Sequence, residues 1–99
     1  MLRHRSFSIA SLAIGTDDTT LRYADLVVTR SEGATEIDWE LMATTLDRSP
    51  IDHGAHHLVM KTADRAFLEG DAILVRSIEG THVFRGAGPL EGFDPRELD

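Results

Sequence analysis

The stretch TEIDWELMA, residues 35–43, places Ile37, Trp39 and Leu41 on one side of an extended chain and Glu36, Asp38 and Glu40 on the other. A helix would scatter these six residues around its axis, whereas a strand gathers the apolar three against a core and leaves the acids in water. The segment therefore reads as a half-buried strand, and its flanking threonines favour the same conformation. The runs FSIASLAI (7–14), LRYADLVVT (21–29), HHLVMKT (56–62), LEGDAILVRSI (68–78) and THVFRGAG (81–88) are equally β-rich. They are separated by turn-forming sequences: GTDDTT, SEGA, ADR and the pair Glu79–Gly80. Short links join antiparallel neighbours. Only DRSPIDHGA, from Asp47 to Ala55, is long enough to cross over the sheet or to form a lid.

This pattern predicts a single all-β domain over residues 1–99, with six antiparallel strands in a meander-like roll or small barrel. Its strand order resembles that of calycin-like barrels, a likeness of fold that carries no function by itself. The one helical signal is DPREL (94–98), a single turn with Asp94 as cap and Pro95 at its first position. In the first strand the apolar parity changes between Phe7/Ile9 and Leu12/Ile14, which predicts a bulge near Ser11. FRGAGPLEGF (84–93) holds three glycines and a proline, but no helix or lysine follows to make a phosphate loop; it reads as a corner where the sheet closes.

Strand number limits what the interior can hold. Eight strands enclose side chains or one small ligand, and six enclose less. Trp39, Phe67 and Phe84 are expected to fill the centre, with Gly70 and Ala72 leaving room opposite. A pocket would then lie at a barrel mouth, under the Asp47–Ala55 loop, or between subunits, with Trp39 and Phe84 as the aromatics a ligand would touch. The runs DLVV, HLVM and AILV are apolar on both faces, although a strand wetted on one side alternates. With no helix to cover them, a second copy of the chain is the expected cover, meeting this one at Ile73 and Val75.

Composition removes several function classes. The absence of cysteine excludes disulfides, thiolate catalysis and Fe–S clusters and suits a cytoplasmic protein. Residues 1–30 hold four arginines against three aspartates, so the formal charge of −7 resides in the remainder, and an acidic body argues against nucleic-acid binding. The opening MLRHRSFSIASLAIG imitates a secretory leader, but Ser6, Ser8 and Ser11 interrupt its apolar stretch and it reads as a retained first strand. No apolar run approaches the ~20 residues of a membrane-spanning helix.

The chemistry-bearing segment is PIDHGAHH, with Asp52, His53, His56 and His57. Zinc needs three or four converging ligands, yet a strand beginning near His56 sends His56 and His57 to opposite faces. Completing a set would require His82, Glu69 or Asp71, and no H-E-x-x-H or Ca²⁺-loop motif is present, so neither a metal nor a cofactor is expected. The leading reading is a binding or interaction module, homo-oligomeric, that engages a protein partner or a small apolar ligand. Its rival is a cofactor-independent enzyme of isomerase or cyclase type, using Asp52, His53, His56 or His57 for proton transfer at a pocket rim. A structural assembly protein is the third.

Overall fold

The computed structural model describes residues 3–47 and 49–98, and seven strands account for most of them. They are β1 (Arg3–Ile14), β2 (Asp17–Thr19), β3 (Leu21–Arg30), β4 (Asp38–Thr45), β5 (Gly54–Thr62), β6 (Phe67–Ile78) and β7 (Thr81–Gly86). The only helical segment among the described residues is a 3₁₀ turn at Pro95–Leu98, where the Asp94 carboxylate accepts the Arg96 backbone N–H at 3.0 Å. No helix there is long and apolar enough to cross a membrane. Met1 and Leu2 of the leader-like opening lie outside the described residues, and the remainder of that stretch forms β1.

Six of the strands close into an antiparallel barrel, and the seventh, β2, folds back on the end of β1 as an extra edge. The sequence reading anticipated six strands and no pairing inside GTDDTT, so β2 is an addition. The order around the barrel is β1-β3-β4-β7-β6-β5 and back to β1. It departs from a simple meander because residues 46–53 carry the chain across one barrel mouth. Consequently β5 lands beside β1 rather than β4, and β4 pairs with β7. The result is two three-stranded meanders joined first strand to first and third strand to third, a topological pseudo-two-fold.

Alternation along each strand determines what enters the interior. Leu26 and Val28 on β3, Trp39 and Leu41 on β4, Leu58 and Met60 on β5, Ala72 and Leu74 on β6, and Phe84 on β7 all point inward and are buried. The anticipated irregularity in β1 is present as a register shift between Ile9 and Ser11, and it lets both Ile9 and Leu12 face the core. Phe67 corrects the expectation that it fills the centre, being 67% exposed. Parity is the reason: Leu68, Gly70 and Ala72 take the inward positions of β6, so Phe67 must face out, where the Lys61 ammonium lies 5.7 Å from its ring centroid.

One end of the barrel is closed around Trp39. The indole edge lies over two glycines: a Cβ on Gly86 would fall within 2.6 Å of three indole atoms, and one on Gly70 would fall 2.8 Å from another. The indole N–H donates to the Gly88 carbonyl at 3.0 Å, which ties the segment after β7 to the barrel end. The same segment buries Leu90, Phe93 and Leu98, and Phe93 meets Phe7 edge to face at 6.0 Å. With the interior filled by side chains, the surface depressions lie at the two mouths and on the outer wall.

Candidate functional site

The histidines do not converge. His56 faces inward at the mouth crossed by residues 46–53, edge-on to Phe84 with ring centroids 6.1 Å apart. Its Nε2–H donates to the Asp52 carbonyl, which can only accept. A depression of about 480 Å³ opens there, lined by His56, Asp52, Asp47, Asp17, Asp18 and several hydroxyl side chains. Asp52 and His53 lie on the connecting segment, outside regular structure. His53 is not among the residues lining this depression.

His57 points the other way, out from the β5–β6 wall. It stands directly opposite Asp71, and its Nδ1 and Nε2 donate to Asp71 and Glu69, each at 2.8 Å. Two carboxylate acceptors favour the doubly protonated ring, so the hydrogen bond to Asp71, followed by that to Glu69, raises the His57 pKa above its ordinary value. Glu69 and Asp71 were weighed from sequence as complements to the loop histidines, but the strand register gives both to His57. His82 is different again. It is buried, its Nδ1 pairs with Ser77 Oγ at 2.8 Å, and its Nε2 has no partner among the described residues. Burial pushes its pKa down. Among the described residues no group of three or more His, Asp or Glu side chains is arranged to hold a metal ion.

The aromatic pair separates too. Phe84 is completely enclosed and lines none of the depressions. Trp39 lines two: one of about 560 Å³ at the barrel end, with Ile37, Pro89, Leu90 and Phe93, and one of about 520 Å³ on the outer wall, with Val27, Glu40 and Arg85.

The largest unexplained feature is the outer wall of β3, β4, β7 and β6. Tyr23, Met42, Ile73, Val75 and Ile78 are each 43–55% exposed, although they are bulky and apolar. Ile73 is paired with Arg85 and lies at the centre of its strand, while Val75 occupies the register shift between Leu74 and Arg76. The sequence signal for this wall was the loss of alternation in DLVV and AILV; Met42, Tyr23 and Ile78 went unnoticed because each is a lone apolar residue on its outward face. Comparison with known protein families, characterised proteins and solved structures finds no match.

Proposed function

We propose that this chain is an interaction module whose working surface is the outer wall of β3, β4, β7 and β6, and that it self-associates there. The observation that supports the reading is the set of half-exposed apolar side chains, Tyr23 on β3, Met42 on β4 and Ile73, Val75 and Ile78 on β6, spread round about half the circumference of a barrel whose own interior is full. Exposed apolar side chains in such number mark association surfaces, and aromatic residues and methionine are enriched in them. A container role has no lumen to use. Of the four proton-transfer candidates only Asp52 and His56 line one depression, while His57 lies on the other side of the barrel wall.

Ile73→Asp and Val75→Asp test this reading. Both positions are solvent-exposed, so the substitutions should leave the melting temperature within a few degrees while light scattering reports loss of association. A single-chain mass for the unaltered protein at every concentration, or variants that associate as it does, would refute the reading.

A second reading has one observation behind it. The depression beside Trp39 has the size of small-molecule sites, and Ile37, Leu90 and Phe93 line it alongside the polar Thr35, Glu36 and Asp38. Quenching or a shift of Trp39 emission on titration with a small apolar compound supports it; unchanged emission at millimolar ligand rejects it.

A further inference from the structure

We infer that two copies of the chain pair through the free end of β6, arm against arm in antiparallel register, with Ser77 opposite the partner's Ser77. The inference rests on the self-association reading and adds where the two copies meet. β6 runs from Phe67 to Ile78, but β5 accompanies it only from Lys61↔Phe67 to Gly54↔Leu74. At Gly54 the backbone takes φ +110° and leaves the sheet, so Val75–Ile78 have β7 on one side and no strand on the other. Burial changes at the same point. As far as Leu74 the strand alternates with buried residues, and from Val75 onward all four residues are exposed, Val75 and Ile78 by about half. The segment that crosses the mouth does not line this edge: the depression it borders takes residues from β1, β2, β4 and β5 and none from β6 or β7.

Hairpin geometry fixes which backbone groups the edge offers. Glu79 and Gly80, both at positive φ, make a two-residue turn between Ile78 and Thr81. The residues flanking such a turn exchange both hydrogen bonds, so the next pair, Ser77 and His82, exchanges none. The N–H and C=O of Ser77 therefore point away from β7, and no turn or loop segment bonds to them among the described residues. An unpaired edge flanked by apolar side chains is a template for another strand.

The edge is complementary to itself in one register. A two-fold axis at Ser77 lets each Ser77 N–H donate to the partner's Ser77 carbonyl. It also sets Arg76 opposite the partner's Ile78 and one residue from the partner's Glu79. Neither Arg76 nor Glu79 has an ion pair among the described residues of its own chain. An axis at Arg76 would place like charges directly opposite, which is unfavourable, and an axis at Ile78 would oppose backbone groups that β7 already uses. Four residues per arm make a small contact, so the pair is concentration-dependent.

Hydrogen exchange of the unaltered protein reads this edge directly. Exchange at the Ser77 amide should slow by about three-fold or more between about 50 µM and about 1 mM, while the Ile78 amide, bonded to β7 in either state, should not change. The chain has no cysteine, so engineered thiols report without interference. Ser77→Cys should cross-link to itself under mild oxidation, because paired Cα atoms lie about 5.5 Å apart and a disulfide tolerates ~7 Å. Ile73→Cys should not, since its copies lie more than about 20 Å apart along the paired arms. In sedimentation, Arg76→Glu should weaken association by up to about five-fold, and adding Glu79→Arg should restore it. Dimeric mass with Ser77 exchange unchanged, or cross-linking of Ile73→Cys in place of Ser77→Cys, would overturn this pairing and leave self-association standing. A single-chain mass throughout would overturn both.

Discussion

Gly86→Ala probes the claim that the barrel is filled rather than hollow. The added methyl would sit within 2.6 Å of three atoms of the Trp39 indole, where unstrained carbon contacts lie at about 3.5–4.0 Å. The ring must therefore retreat by about 1 Å. It has little room to do so: it is rigid, it closely approaches Gly70 on β6, and its N–H is held by the Gly88 carbonyl. Overpacking of this kind costs about 2–3 kcal/mol. For a domain of this size that corresponds to a fall of roughly 10–20 °C in melting temperature. Circular dichroism during thermal and urea unfolding measures the loss, and emission from Trp39, the only tryptophan, reports the local environment. In a Trp39→Phe background the smaller ring leaves space for the methyl, so the penalty should shrink by about 1 kcal/mol or more in a double-mutant cycle. A change below about 0.5 kcal/mol, or an equal penalty in both backgrounds, would refute tight packing at this end.

Other outcomes follow from the titrating groups and from the segment after β7. His57 has a folded-state pKa above its unfolded value, so the folded form binds more protons between the two. Its contribution is complete below about pH 6.5 and is lost as pH rises through the folded pKa; His57→Gln should remove that slope. For His82 the sign is opposite: burial lowers the folded pKa, the unfolded chain binds more protons, and stability falls as pH drops below about 6.5 toward the folded value. Titration of the imidazole C–H resonances by NMR should place His57 above and His82 below the ordinary histidine value; the reverse order would contradict both environments. Gly92 adopts φ +90°, and a Cβ there would collide with the Phe67 carbonyl, so Gly92→Ala should loosen the segment bearing Phe93 and Leu98. Hydrogen exchange of the Glu91 amide, bonded to Glu69, would quicken; unaltered protection would argue against that role.

Local features of the fold were readable from the chain. Alternation at Ile37, Trp39 and Leu41 gave β4 and its inward face, the parity break gave the bulge in β1, and Glu79–Gly80 marked a tight turn in which both residues have positive φ. The crossing role of the connection after β4 was also visible in its length. What escaped was non-local. Closure of β1 on β5 and of β4 on β7 depends on pairing between segments far apart in sequence, which periodicity does not encode. Phe67 was misplaced because its bulk outweighed the parity of its neighbours, Leu68 and Gly70. The meeting of His57 with Glu69 and Asp71 depends on strand register alone. Register also divides PIDHGAHH between two sides of the barrel, so a histidine cluster that is dense in sequence is dispersed in space.

Backbone amide chemical shifts followed across a concentration series, from tens of micromolar to about one millimolar, measure association and its location together. Shifts that move in concert at Ile73, Val75, Arg76, Ile78 and Val83, while those of β1, β5 and the Trp39 end stay fixed, are the predicted result. Spectra unchanged across the series, or changes centred on either barrel mouth, would contradict an account that puts recognition on the outer wall.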